Sequence, residues 1–337
     1  MGQCVTFLGK IFIRFCMLIM ALWASVALLY SNLPQMLSPW VAGLFGICSL
    51  AALIGAYSSR KTRLGFLAAF SAVLVYWLLI PPSNSRNWQS DVAVLPWAEI
   101  QGDKVTIHNI RNCDYRNETD FTVRHYDKTF DLGKLKNVDI SLVYWGSPNI
   151  AHTMMSFGFD GDGTICISIE TRKEVGESYS TIKGFFRQYE LTYVVADERD
   201  LIGLRTNYRE KGKGEDVYLY RLKASPSLIR KVFLAYMHEV NALKERPEWY
   251  NALTGNCTTS IRGHTAPYNP DARLDWRMIV NGHLDEMLYE RNVVDTRLPF
   301  AELKKASRIN SKAKGMDKSP DFSRVIRVGL PGMEILK

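Results

Sequence analysis

No aspartate or glutamate occurs in the first 80 of the 337 residues, and that stretch holds only five basic residues: Lys10, Arg14, Arg60, Lys61 and Arg63. Three runs inside it, 15–33, 40–57 and 64–80, carry no charge at all. A helix lying on a soluble core keeps one polar, charged face, so this absence argues against an ordinary amphipathic packing role. A bilayer core needs about 20 apolar residues, with roughly 17 as the lower bound, and the runs are 19, 18 and 17 residues long. The expectation is a membrane anchor over 1–80 with three transmembrane helices, about 15–33, 40–57 and 64–80. Basic residues stay cytoplasmic. Lys10 and Arg14 place the N-terminus inside, the uncharged Pro34–Pro39 link outside, and the Arg60–Arg63 link inside again. Everything after residue 80 then lies outside the cytoplasm, anchored in the membrane. A cleaved signal peptide would explain the first run alone. Met1-Gly2 fits the loose myristoylation pattern, but three spans make a lipid redundant.

Excess positive charge is missing from the middle of the chain. Of 42 Lys plus Arg and 34 Asp plus Glu, five and none lie in 1–80, nine and three in 303–337, leaving 28 and 31 for 81–302. The net +8 comes from the two ends. A nucleic-acid-binding domain carries its charge on the folded face, so no nucleic-acid partner is expected. Internal repeats are also absent, which excludes a solenoid or propeller.

What remains reads as a linker over 81–94, one α+β domain over 95–302 and a basic tail over 303–337, loosely ordered from Ala306 to Ser323. Strand-like runs fall at 105–110, 121–130, 138–145, 150–159, 164–170, 191–195 and 217–222. Asp160-Gly161-Asp162-Gly163 is a hairpin signal. It starts like a calcium loop, but its twelfth position is Thr171 where a bidentate glutamate is needed, so no metal or cofactor is expected. Ser225-Pro226 opens a helix; Ile229, Val232, Phe233, Tyr236, Met237, Val240 and Leu243 share one face of it, and Pro247 ends it.

Three of the six cysteines, Cys113, Cys166 and Cys257, lie beyond the apolar runs. An odd number in an oxidising compartment leaves at least one thiol unpaired. Cys166 sits in a strand core, and Cys113, in a loop, is a possible partner for it. Cys257 follows Thr254-Gly255-Asn256 and precedes Thr258-Thr259, a composition suited to a helix start. A thiol in a first turn faces unpaired N–H groups and the positive end of the helix dipole. Both favour the thiolate, the nucleophilic form. A buried structural thiol is the competing reading.

Among six histidines, His264 stands seven residues past Cys257, about two turns or ~10 Å along the same axis. His238 falls on the polar side of the 226–246 helix, and His108, His125 and His283 have polar neighbours. His152 lies in a largely apolar strand, where a polar ring must be hydrogen-bonded: either a satisfied core histidine or a general base. Across the Asp160–Gly163 turn, strand pairing sums to about 322–324, which places Glu170 opposite His152, with Ser168 in reserve. Glu170 would hold the imidazole and stabilise its cation, or else pair with Arg172 or Lys173.

Trp145-Gly146-Ser147-Pro148-Asn149-Ile150-Ala151-His152-Thr153, Ile169-Glu170-Thr171-Arg172-Lys173-Glu174, Glu198-Arg199-Asp200, Leu204-Arg205-Thr206-Asn207-Tyr208-Arg209, Trp249-Tyr250-Asn251 and Asn256-Cys257-Thr258-Thr259 follow in that order. Together they closely resemble the Lnb-type periplasmic domain of bacteria, over most of residues 105–265. The resemblance implies a circularly permuted papain-like (NlpC-type) thiol fold, with an antiparallel sheet and a nucleophile helix. It implies Cys257 and His152 as catalytic residues, with Glu170 a possible third. It implies an acyltransferase moving a fatty acyl chain from membrane phospholipid, through a Cys257 thioester, to an amine such as a lipoprotein N-terminus. Trp249, Tyr250, Phe185 and Phe186 are candidates for an acyl groove, or simply core. Three helices are few for a lipid tunnel, so a membrane partner protein is a further expectation. A thiol amidase or peptidase of the cell envelope would need the same residues. A non-enzymatic envelope protein would need none of them.

Overall fold

Long uncharged runs have no choice but to close their own backbone hydrogen bonds, and the first 80 residues do so as helices: α1 (Gly2–Leu29), α2 (Ser38–Gly55) and α3 (Arg60–Leu78). The structure is a computed structural model describing residues 2–55, 59–209, 214–268 and 275–333. Tyr57, expected to end the second run, and the last four tail residues lie outside the described residues. The chain divides into two units, Met1–Ser83 with Tyr179–Tyr189, and Asn84–Ser178 with Glu190–Lys337.

In the first unit, Leu8–Leu29 and Arg60–Leu78 are long and apolar enough to cross a membrane, whereas Ser38–Ile54 falls short of that length over the described residues. Met17, Ala21 and Phe66 make a small core between helices, and Trp23 meets Phe70 and Trp77 edge-on. Ser59 caps α3 by accepting from the Thr62 amide. The 179–189 segment packs here too: Phe186 lies beside Trp23 and Tyr30, and Arg187 donates to the Leu78 carbonyl at 2.8 Å.

The second unit is α+β. Its strands are β1 (Trp97–Gln101), β2 (Lys104–Arg111), β3 (Asp114–Tyr115), β4 (Phe121–Thr122), β5 (His125–Asp131), β6 (Leu135–Tyr144), β7 (Ala151–Phe159), β8 (Gly163–Arg172), β9 (Glu190–Asp197) and β10 (Asp216–Arg221). The main sheet runs β1-β2-β9-β8-β7-β6-β10, with β5 also on β2. All its pairings are antiparallel except β2 with β9. Gly161 and Gly163 take positive φ in the β7–β8 turn, the left-handed geometry that a tight hairpin demands.

Alternation along the central strands separates two cores. Ile140, Met155, Phe157 and Ile167 face α5 (Pro226–Glu245), whose Ile229, Val232, Phe233 and Tyr236 complete the first core. Ser225 caps α5 through the Leu228 amide, with Pro226 in the first turn. Val143, Met154, Cys166 and Val194 face the other way, onto α4 (Glu198–Gly203), which continues as a π-helical turn over Leu204–Tyr208. That second core is closed by Ile309, Ala313, Phe322, Ile326 and Leu330.

The basic tail is therefore not loosely ordered. Arg327 lies 2.6 Å from Glu198 and 2.8 Å from Asp139, and Ile309, Ala313, Phe322, Ile326 and Leu330 are buried. The expected linker differs as well. Asn84 donates to the Leu243 and Lys244 carbonyls, and Trp88 is buried under the Arg172 guanidinium.

Candidate functional site

The β7–β8 register pairs Met154 with Ser168, a sum of 322, so His152 and Glu170 fall on one face of the sheet as the hairpin arithmetic requires. His152 Nε2 lies 2.7 Å from Ser168 Oγ, and Ser168 Oγ donates to Glu170 Oε1 at 2.7 Å. The same carboxylate oxygen accepts from Arg205 Nη2 at 2.7 Å. Ser168 has one proton, and Glu170 takes it. The serine oxygen must then accept from Nε2–H, which leaves Nδ1 as the nitrogen with the free lone pair.

Burial pushes the Glu170 carboxyl up, but the Arg205 guanidinium, with His152 and Arg209, outweighs it and holds the group well below the usual carboxylate range. Burial, then repulsion from Arg205, pulls His152 down to about 3 against the attraction of Glu170. The imidazole is neutral at physiological pH and its tautomer is set from outside the ring.

Cys257 opens α6 (Cys257–Thr265). Asn256 caps it: its side chain accepts from the Thr259 amide at 2.9 Å, and Thr259 Oγ1 accepts from the Asn256 amide at 3.0 Å. This reciprocal box fixes the first turn and points its remaining amides, with the positive end of the helix dipole, toward the thiol. Cys257 is only 7% exposed and belongs to the first core. Asn281 Nδ2 lies 3.8 Å from Cys257 Sγ and donates to Thr258 Oγ1 at 2.9 Å. Asn281 Oδ1 accepts from the Ala151 amide at 2.9 Å. The turn that carries Asn281 docks on the loop before β7, where Gly282 has no substitute: a Cβ there would sit 2.1 Å from the Pro148 carbonyl oxygen.

The structure brings His152, Ser168 and Glu170 together and does not bring Cys257 to them. The thiol's hydrogen-bond partners are Asn281 and Thr258; the imidazole's is Ser168. Strand alternation is the reason. Thr153 faces Thr258, 3.4 Å between hydroxyls, which turns the neighbouring His152 onto the second-core face with Met154. The other histidines take quieter places. His264 bonds the Tyr193 hydroxyl at 2.7 Å and is pulled down to about 4 by burial; His283 reaches Asn149; His238 is exposed. Cys113 and Cys166 are both buried and free. Of the acyl-groove candidates, Phe185 and Phe186 belong to the first unit, and Trp249 lies under the Arg86 guanidinium.

Residues 122–282 match the family model of the Lnb N-terminal periplasmic domain. The match runs from Thr122, in β4, to Gly282. No curated protein and no solved structure matches the chain. The matched stretch contains His152, Ser168, Glu170, Cys257 and Asn281, and the family is described as a periplasmic domain. Together with the apolar helices of the first unit, it is consistent with a membrane-anchored protein with a periplasmic domain.

Sequence reasoning passed over two residues of the Lnb domain that the geometry makes central. Arg205 lies in the quoted 204–209 stretch, and its side chain is nearly buried; an arginine amid the apolar residues Leu201, Ile202 and Leu204 was the available signal that a buried carboxylate waits for it. Asn281 had no such signal, since an asparagine before a glycine reads as a turn. The Glu198-Arg199-Asp200 run is explained by packing: Asp200 accepts from Arg111, Tyr115 and the Cys113 amide.

Proposed function

We propose that this chain is a membrane-anchored periplasmic acyltransferase in which Cys257 carries the acyl group as a thioester. The observation that supports it is the Cys257 thiol in the first turn of a capped helix, with a fixed side-chain amide beside it. In this reading His152 Nδ1 takes the thiol proton and Cys257 Sγ attacks the ester carbonyl of a glycerophospholipid. The oxyanion is held by the first-turn amides of α6 and by Asn281 Nδ2. The C–O bond breaks, the proton passes from the imidazolium to the departing lysophospholipid oxygen, and the thioester remains. An amine, here assigned to a lipoprotein N-terminus, then attacks; the C–S bond breaks, an amide forms, and the amine's proton returns through His152 to the thiol.

Glu170 acts through Ser168 as a positioning residue that holds the Nε2–H tautomer. Proton transfer requires Nδ1 to reach Sγ; with His152 held by Ser168 and Cys257 by Asn281 and Thr258, the imidazole must turn toward α6 when substrate binds, a larger change than the tightening of a long hydrogen bond. A three-helix anchor with the N-terminus in the cytoplasm completes the reading, because tethering concentrates the enzyme against lipid-embedded substrates.

Intact mass of the protein incubated with phospholipid, without an acceptor, tests it. A fatty-acyl adduct that neutral hydroxylamine removes, and that Cys257→Ser lacks, is the expected result. An unmodified Cys257 that still labels rapidly with a thiol probe would move the assignment to a peptide or amide hydrolase. An inert Cys257 would return it to a packing residue.

A further inference from the structure

An apolar cavity of about 240 Å³ runs alongside α6, lined from the helix by Thr258, Ile261, Arg262 and Thr265 and opposite it by residues of β6, β7, α5 and α7 (Leu284–Glu290). It begins at the residue after the thiol. Its floor is Ile140, Met155, Met278 and Met287, and Cys257 packs in that same apolar cluster. Three methionines in one lining make an adaptable, polarizable wall. Among the described residues, the charged side chains that line it are Lys223, Arg262 and Arg291, with Arg291 also 3.3 Å from Asp275.

We infer that this cavity is the acyl-chain site: it receives the alkyl tail of the donor and of the Cys257 thioester, with the anionic end of the donor toward Lys223, Arg262 and Arg291. The inference rests on the thiol reading above and adds to it the place where the alkyl chain lies. Trp249, Tyr250, Phe185 and Phe186 do not line the cavity; aliphatic and thioether side chains do. An engineered apolar cavity of ~150 Å³ stays dry and takes benzene, so the present volume corresponds to an alkyl segment of about ten carbons. A longer chain would leave its far end outside.

Activated esters of graded length test this on the full chain in lipid nanodiscs, with Cys257 acylation followed by intact mass. For wild type, the acylation rate rises by up to about fourfold per methylene from two to about ten carbons and then levels off. Ala224→Trp and Met287→Trp, both in the lining, flatten that rise, with thermal melts confirming that both variants fold. Equal chain-length profiles in wild type and both variants would overturn the cavity while leaving the thiol chemistry standing.

A second readout needs no chemistry at Cys257. Decanoic acid bearing a photoreactive diazirine, applied to the Cys257→Ser protein, crosslinks to peptides spanning 224–232 and 284–291. Crosslinks confined to other segments overturn the site even if no ester ever acylates the thiol. Crosslinks at the expected peptides with no acylation would retain the cavity and remove the thiol reading.

Discussion

On the sheet face covered by α5 and α6, the contacts are aliphatic and aromatic: Phe157 meets Phe233 and Tyr236 edge-on, and Ile229 and Val232 fill the space between. On the opposite face, a shorter set of apolar residues is interleaved with buried charge. Arg327 ties Glu198 to Asp139, Arg111 is paired with Asp200, and Arg205 with Glu170. One face resembles a greasy seam and the other a set of matched ions in an apolar frame. Burying a hydrocarbon is favourable wherever it lands, whereas a buried ion is tolerable only while its partner stays in place. The second face therefore specifies geometry more sharply, and it is the face that orients His152.

Removing residues 308–337 is the most severe way to break this comparison. It strips Ile309, Phe322, Ile326 and Leu330 from the second core and leaves Glu198 and Asp139 without Arg327. Large-to-small core changes cost about 2–5 kcal/mol each, so the sum exceeds a typical domain's stability. The expected result is loss of the cooperative urea transition and of protease resistance; a truncated domain that still unfolds cooperatively would show that the second face is decoration.

Asp200→Ala is expected to cost about 3–5 kcal/mol, because Arg111, the Cys113 amide and the Tyr115 hydroxyl all lose their acceptor. Urea midpoints measure it, and a cost below about 1 kcal/mol would mean the pair is not truly buried.

Acid should act on both faces through histidine. The folded-state values of His152 and His264 are about 3 and about 4, against ~6.5 in an unfolded chain. The unfolded chain binds the extra protons, so stability is full above pH 6.5 and declines as pH falls from 6.5 toward those values, by on the order of 1–2 kcal/mol per histidine at pH 5. Glu170, held low, adds to the decline only below about pH 4.5. His152→Gln should remove roughly half of the slope between pH 6.5 and 5, and an unchanged slope would refute the buried neutral imidazole. At the small end, Arg308→Ala breaks a half-exposed pair with Asp216 and should shift the urea midpoint by less than ~1 kcal/mol.

Much of the first face was legible in the sequence, and little of the second. The helix over 226–245, its Ser225 cap and its seven inward residues follow from 3.6-residue spacing, and the β7–β8 hairpin and its register follow from a glycine-rich turn. The 303–333 segment defeated the same approach. Its apolar residues are too widely spaced to show a period, and Arg327 reads as solvated because its carboxylate partners lie 188 and 129 residues away. β1 was passed over because Trp97–Gln101 is short and mixed in polarity. The pairing of His152 with Glu170 could be reached by arithmetic across one turn. The separation of His152 from Cys257 could not, since it depends on which face of β7 meets a helix a hundred residues on.

Asn281 also sets an order of events in biosynthesis. Its side chain bonds the Ala151 amide, the Thr258 hydroxyl and the Cys257 sulfur at once, yet it is made after all of them. A chain made from its amino end presents the strand first, the thiol next, and the residue that joins them 24 positions later. Until Asn281 and Gly282 have emerged and docked, the thiol is an ordinary cysteine on a nascent chain, and the pocket beside it lacks Met287 and the rest of α7. The surroundings of the thiol are thereby completed only once the segment carrying Asn281 has docked.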